Sequence, residues 1–210
     1  MIDINKKALI LCELIGKPFD EPTRKMVLEL INSLRSTYIR NTISSNKVVP
    51  YGLRQTIYKG VETVNMSSSY YIDNTITCVK TINRVESPIR FGTDAPFINI
   101  SSSSGQITFA HSELAHIKFQ SKGKYTNNNR YVYDGQYLYL YSNEPIFLTF
   151  PRIKLISIFE NPFPVDESGE NIYSISNYPL PEDMTESIIR ELKVNIFNIP
   201  IDNKEVLIDG

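Results

Sequence analysis

The chain has 210 residues, of which 41% are hydrophobic and 21% are charged, and its formal net charge is −1. This composition is typical of a globular protein with one sizeable core or two smaller ones. The near-neutral charge predicts no general attraction to nucleic acid or acidic membranes. No apolar run approaches the ~18 residues of a membrane span, and we expect no signal sequence and synthesis in a reducing cytoplasm.

The first forty residues carry two helical patterns. The first is predicted from Ile4 to Ile15 and ends at Gly16. The second begins after Asp20, whose side chain is suited to cap a helix. Its predicted buried stripe comprises Val27, Leu30, Ile31, Leu34 and Tyr38, with the charged Arg24, Lys25, Glu29 and Arg35 outside it.

A third helix is predicted near the other end of the chain. Pro181 suits its first turn, and the acidic Glu182 and Asp183 complement the helix dipole. Its predicted buried stripe comprises Met184, Ile188, Ile189, Leu192 and Ile196. Pro200 should stop this helix and leave Ile201–Gly210 as a tail.

The middle of the chain alternates between apolar and polar residues over short runs bounded by turn residues, which predicts β-strands. One hairpin is predicted around the polar run 101–105, and a later strand within 146–159. The predicted fold class is therefore α+β. A small helical domain formed by both chain ends (1–45 and 178–200) would carry an inserted antiparallel β-sandwich or barrel (46–177), followed by the tail 201–210.

The strongest hairpin signal is the run 129–141, which carries Asp134-Gly135 between two alternating strands. A two-residue turn at this dipeptide would place Tyr131 opposite Leu138 and mix tyrosines with leucines on both faces. A loop one residue longer would align the tyrosines on one face, with Val132, Leu138 and Leu140 on the other. A shift of one residue in register moves every side chain of a strand to the other face of the sheet. We therefore predict the longer loop, because it places the tyrosines on one face and the apolar residues on the other.

Residues that could support catalysis are sparse. The only histidines, His111 and His116, are five residues apart, which is ~140° around a helix and does not match a zinc-binding helical pair. Cys12 and Cys78 are predicted to be buried thiols in separate cores. Phosphate-binding glycine loops are missing from the sequence. We therefore expect no enzyme activity, no catalytic residues, no cofactor and no metal.

Two sets of residues are candidates for binding. A basic and aromatic stretch could face nucleic acid through Lys118, Lys122, Lys124 and Arg130, although a solvated loop also explains it. Tyrosines are common at protein interfaces and at sugar-binding surfaces, but half-buried sheet packing explains them equally well. The candidate interface comprises Tyr131, Tyr133, Tyr137, Tyr139, Tyr141, Ile201, Val206 and Leu207.

The order of elements resembles that of the head-to-tail adaptor family of short-tailed phages, also called tail tubular protein A-like. The resemblance rests on two helices, a β insertion with the hairpin Tyr131-Val132-Tyr133-Asp134, and Leu180-Pro181-Glu182-Asp183 opening a late helix. The Ile-, Asn- and Lys-rich composition is similar to ring proteins of crAss-like phages. The similarity covers most of the chain, but only one clear helix follows the insertion, whereas adaptors end with more helical mass.

The resemblance implies a structural virion protein at the portal–tail junction, made in the host cytoplasm. Copies would form a cyclic ring, commonly twelve-fold in that family, next to the portal protein and other tail or ring proteins. Double-stranded DNA would pass through the channel without sequence-specific binding, and no membrane would be involved. Two alternatives remain open: a β-sandwich module that binds carbohydrate or a receptor, and a nucleic-acid-binding protein.

Overall fold

A computed structural model describes residues 3–46, 51–64, 78–89, 95–113, 129–142, 149–164 and 177–199. These residues contain α-helices and a seven-stranded closed barrel, so the predicted α+β class is confirmed. The helices are α1 (Ile4–Leu14), α2 (Glu21–Asn46) and α3 (Glu182–Glu191), and α3 continues as a π-helical turn (Leu192–Ile196). A short 3-10 helix covers Tyr51–Leu53.

The chain divides into two compact units. The helical unit comprises Met1–Leu53 and Tyr173–Gly210, and the barrel unit comprises Arg54–Ile172. All three α-helices belong to the helical unit, and all seven strands belong to the barrel unit. Among the helices that the structure describes, none is long and apolar enough to cross a membrane.

The ends of α1 and the start of α2 follow the local sequence signals. The Asp3 side chain caps α1 by accepting a hydrogen bond from the Asn5 N–H at 3.0 Å. Gly16 follows α1 with φ of 78°, a left-handed conformation that favours glycine. The Asp20 carboxylate accepts from the Thr23 N–H at 3.1 Å, which confirms the predicted cap of α2.

The buried side of α2 differs from the predicted stripe. Buried residues recur at every fourth position: Thr23, Val27, Ile31, Arg35, Ile39 and Ile43. Arg35 is fully buried, so its predicted place outside the stripe is wrong. Because successive i+4 steps rotate by ~40°, this row winds slowly around the helix and reaches position 35 after Ile31. The spacing of the buried residues favours burial at position 35, but the charge of Arg35 led to the opposite prediction.

The surroundings of Arg35 are polar within an apolar core. The buried Tyr178 donates its hydroxyl proton to Asn32 Oδ1 at 2.7 Å, one helical turn before Arg35. Burial raises the pKa of Tyr178, while the positive charge of Arg35 acts in the opposite direction. Burial also lowers the pKa of Arg35 to about 10. The buried Arg35 and Tyr178 and the half-buried Asn32 thus form a polar cluster in the helical unit, called the buried polar cluster below.

The end of α3 also departs from expectation. Met184, Ile188, Ile189 and Leu192 are buried as predicted, but Ile196 is 42% exposed. The reason is the π-helical turn, in which the Phe197 N–H donates to the Leu192 carbonyl five residues earlier at 2.9 Å. The wider turn breaks the 3.6-residue period and carries Ile196 away from the buried side.

The barrel strands are β1 (Gln55–Val64), β2 (Cys78–Thr81), β3 (Asn99–Ser102), β4 (Thr108–His111), β5 (Arg130–Asp134), β6 (Tyr137–Tyr141) and β7 (Arg152–Ser157). Their order around the barrel is β1-β2-β6-β5-β4-β3-β7, and β7 closes onto β1. Strands β3 and β4 form the predicted hairpin around the polar run.

The predicted antiparallel arrangement holds for every pair of these seven strands except one. Strand β4 pairs with β5 in parallel, with Ala110 opposite Arg130 and His111 opposite Tyr131. A parallel neighbour requires a crossover of a dozen or more residues, and the segment between β4 and β5 is long enough to supply it. The sequence gives no periodic signal for this pairing.

The barrel interior is filled by large apolar side chains from all seven strands and adjoining segments. Strand β1 alternates buried and half-buried residues from Gln55 to Gly60, as a strand with one inward face must. One charged residue points inward: Lys59 is 2% exposed, and its ammonium lies 3.8 Å from Glu86 Oε2. A buried lysine is tolerated here because a carboxylate is near it.

Candidate functional site

The β5–β6 hairpin does not have the predicted longer loop. Asp134 pairs with Tyr137, which leaves a two-residue turn made of Gly135 and Gln136. Both turn residues have positive φ, 55° and 69°, as a type I′ turn requires. The turn therefore has two residues, as the turn chemistry predicts, but it lies one residue later than Asp134-Gly135.

This register separates the five hairpin tyrosines. Tyr131 pairs with Leu140 and Tyr133 with Leu138, so these four side chains share the inner face. Tyr131 is 2% exposed and its ring lies edge-on to Phe97, with 5.9 Å between the ring centroids. The hydroxyl of Tyr133 donates to the Val85 carbonyl at 3.1 Å. The prediction of one tyrosine face is wrong, because two of the tyrosines pack in the barrel core.

The other three tyrosines lie on the outer face of the barrel. Tyr141 is buried there, while Tyr137 and Tyr139 are half-buried. The ammonium of Lys80 lies 3.9 Å from the centre of the Tyr137 ring, a cation–π contact. Tyr137 and Tyr139 therefore keep the accessibility that a contact residue needs, and Tyr131 does not.

The remaining candidate residues are mostly outside the described residues. Arg130 is half-buried in β5 and pairs with Tyr141 on the outer face. Lys118, Lys122 and Lys124 lie outside the part of the chain that the structure describes, as do Ile201, Val206 and Leu207. The proposed nucleic-acid and tail contacts of these residues stay predictions.

The structure adds detail about the groups considered for chemistry. His111 lies in strand β4 with its ring 5.3 Å from that of Tyr131, and His116 lies outside the described residues. Cys12 and Cys78 are free, buried thiols in different units. Burial raises the pKa of both thiols, that of Cys78 to about 12. In the described segments, no three His, Cys, Asp or Glu side chains are grouped to hold a metal ion.

A feature that sequence reasoning missed is apolar exposure on the helical unit. Of the described residues, eight large apolar side chains are exposed: Ile10, Leu14, Phe19, Met26, Tyr51, Ile82, Val194 and Ile196. All except Ile82 belong to the helical unit. Phe19, which is 98% exposed, could have been noticed from sequence, because it lies in the polar turn between two helices. Contiguous patches of exposed apolar side chains, as opposed to single ones, mark protein–protein contact sites.

A family model described as phage tail ring protein 2, from crAss-like phages, matches residues 18–205. The chain belongs to this family, and it is a structural, tail-associated ring protein. A search of curated proteins found no match.

Proposed function

We propose that this protein is the repeating subunit of a ring that extends the portal DNA channel towards the tail of the phage. The family match over 18–205 carries the proposal, since it covers parts of both units. In this proposal both chain ends form a small helical domain, and the barrel is inserted between them. The ring has cyclic symmetry, with twelve copies as the expected number.

The neighbours of the ring are the portal protein on one side and other tail proteins on the other. Double-stranded DNA passes through the ring without sequence-specific contacts. The net charge of −1 supports this role, because tight binding to phosphates requires a cationic surface and would retard passage. Arg130, together with Lys118, Lys122 and Lys124, supplies the weak positive potential near the DNA.

The alternative of a sugar-binding module receives no support from the hairpin. A stacking surface for sugar rings would need several tyrosines on one accessible face, but Tyr131 and Tyr133 point into the barrel. Only Tyr137 and Tyr139 remain, and one of their rings is covered by Lys80. These two tyrosines are better explained as part of a contact with a neighbouring tail protein.

Negative-stain imaging of the purified chain, alone and mixed with an extract of phage particles, tests the proposal. We expect closed rings of one fixed order in at least one sample, and we expect the chain among the proteins of purified particles. A chain that stays monomeric in both samples and is missing from purified particles contradicts the proposed function.

A further inference from the structure

Among the described residues of the helical unit, six of the seven exposed large apolar ones fall into two separate groups along the chain, and the seventh is Tyr51. The first, the tip surface, consists of Ile10, Leu14, Phe19 and Met26 at the turn between α1 and α2. Ile10 and Leu14 are four residues apart and so share one side of α1. The second, the π-turn surface, consists of Val194 and Ile196 after α3.

The contacts of α3 place the two surfaces apart along α2. The Tyr38 hydroxyl lies 3.5 Å from the Ser187 carbonyl oxygen, and its hydrogen bond to Glu191 raises the pKa of Tyr38 to about 12. The π-helical turn begins one residue after Glu191, so it lies near the second half of α2. Met26 and Tyr38 are twelve residues apart, which is ~18 Å along a helix.

The direction of α3 supports the same separation. Lys7 in α1 lies 3.8 Å from Glu186, and Tyr178, just before α3, bonds to Asn32. The later Ser187 and Glu191 contact Tyr38, further along α2. Helix α3 therefore runs away from the turn between α1 and α2, and its end carries Val194 and Ile196 to the far end of the helical unit.

Two unlike surfaces at opposite ends of one helix are what a closed ring of identical subunits needs. In such a ring each copy joins its neighbours head to tail, so one surface of a copy meets a different surface of the next. The described residues of the same chain leave both surfaces accessible: side chains of the tip surface are 41–98% exposed, and those of the π-turn surface are 39–42% exposed. Among the described residues of the barrel unit, Ile82 is the exposed large apolar residue. The described part of the barrel unit therefore does not present two separate apolar surfaces.

We infer that the tip surface of one copy docks on the π-turn surface of the next copy and that this contact closes the ring. The inference rests on the proposed function, and it adds the residues that form the contact. Phe19, which is 98% exposed, is the anchor, because an aromatic side chain with few rotamers can fill a pocket on a partner at little cost in side-chain entropy.

Two double variants test whether the tip surface of one copy binds the π-turn surface of the next copy. The tip variant carries Leu14→Ser and Phe19→Ser, and the turn variant carries Val194→Ser and Ile196→Ser. Both change exposed positions, so far-UV circular dichroism should match the wild type. Each variant alone should be monomeric, with association weakened by on the order of 100-fold. An equimolar mixture should form 1:1 dimers, because one intact tip can still meet one intact π-turn surface. Ile82→Ser, at an exposed apolar residue of the barrel unit, is the control and should form rings.

The outcomes distinguish the inference from the function on which it depends. Rings formed by the wild type and also by either double variant overturn the inference and leave the proposed function standing. Mixtures that stay monomeric, or a turn variant that dimerises alone through its tips, also overturn it. A wild-type chain that assembles neither alone nor with particle extract, and that is missing from purified particles, overturns the proposed function itself. Native mass spectrometry of the mixtures gives the stoichiometry directly.

Discussion

The buried polar cluster in the helical unit shows how a single residue can escape sequence analysis. Arg35 carries a charge, and charged residues are almost never fully buried without a partner, so composition places it outside. The i+4 row from Thr23 to Ile43 places it inside, next to Tyr178. Tyr178 precedes α3 and lies far from α2 in sequence, so this pairing could not be predicted from local pattern. The caps at Asp3 and Asp20 could, because they depend on neighbouring residues alone.

The stability of the protein should fall at alkaline pH because of Tyr178. Burial raises the pKa of Tyr178 above the value near 10 of an unfolded tyrosine. The folded state therefore holds this proton more tightly, so the stabilisation is complete below pH ~10 and is lost as the pH rises through the folded pKa. In urea unfolding, Tyr178 should leave the free energy of unfolding unchanged between pH 7 and pH 9 and should lower it at pH 11, a range in which the lowered pKa of Arg35 acts in the opposite direction.

Two variants test whether Tyr178 contributes to that decline. Tyr178→Phe should cost about 1 kcal/mol at pH 7 through the lost hydrogen bond to Asn32, but its decline with pH should be shallower. Asn32→Ala removes the same hydrogen bond and keeps the titrating group, so its decline should remain as steep as that of the wild type. Equal slopes for Tyr178→Phe and the wild type contradict the prediction.

At the scale of single elements, turn chemistry was a better guide than the polarity of faces. The observed register is neither of the two that the sequence suggests: its turn has two residues, as Asp134-Gly135 predicts, but consists of Gly135 and Gln136. Tyrosines are not confined to the outer face, because Tyr131 and Tyr133 pack against Phe97 inside the barrel. The expectation that all five tyrosines share one face, on which the longer loop was predicted, therefore fails. Similarly, the π-helical turn after α3 has no signature in the residues that form it, and it could not be predicted.

The type I′ turn contains a correctable strain. Gln136 has φ of 69°, where a side chain costs about 1 kcal/mol relative to glycine. Gln136→Gly should therefore raise the free energy of unfolding by about 0.5–1 kcal/mol, while its carbonyl keeps the 2.8 Å hydrogen bond from the Val85 N–H. Chemical denaturation measures the change.

Gly135 supplies the matched control for the turn. A side-chain carbon at Gly135 would meet nothing within 4 Å, so Gly135→Ala tests backbone conformation alone at φ of 55°. It should lower the free energy of unfolding by about 1 kcal/mol. If Gln136→Gly is neutral or destabilising while Gly135→Ala behaves as expected, the strain at Gln136 is not real.

At the scale of the whole molecule, the α+β class and the family resemblance were accessible from the order of elements. The closed barrel was one of two β architectures considered, and its strand order depends on long-range pairing. Strand β7 is central to closure, because Leu155 pairs with Ile57 in β1 and with Ile100 in β3. No local pattern identifies both partners of a strand that far along the chain.

Proline in β7 should open the barrel. Leu155→Pro removes a backbone donor from a strand that pairs on both sides, so the barrel unit should unfold and expose Cys78, which lies in β2 beside β1. Both thiols of the wild type are buried, and neither should react with a thiol reagent at pH 8 without denaturant. In the proline variant Cys78 should react, as peptide mapping can show. Leu155→Val is the control and should keep Cys78 protected. Protection of Cys78 in Leu155→Pro contradicts a central role for β7.

The pairing of β1 with β7 also has a consequence for the synthesis of the protein. The two strands begin at Gln55 and Arg152, so the ribosome adds almost a hundred residues between them. At about 5–20 residues per second, β1 waits roughly 5–20 s for its last partner. During that time one of its edges has unpaired backbone groups, which can pair with β-strands of other nascent chains. Closure of the barrel onto β7 removes this edge, so the synthesis of β7 ends the period in which copies can pair through β1.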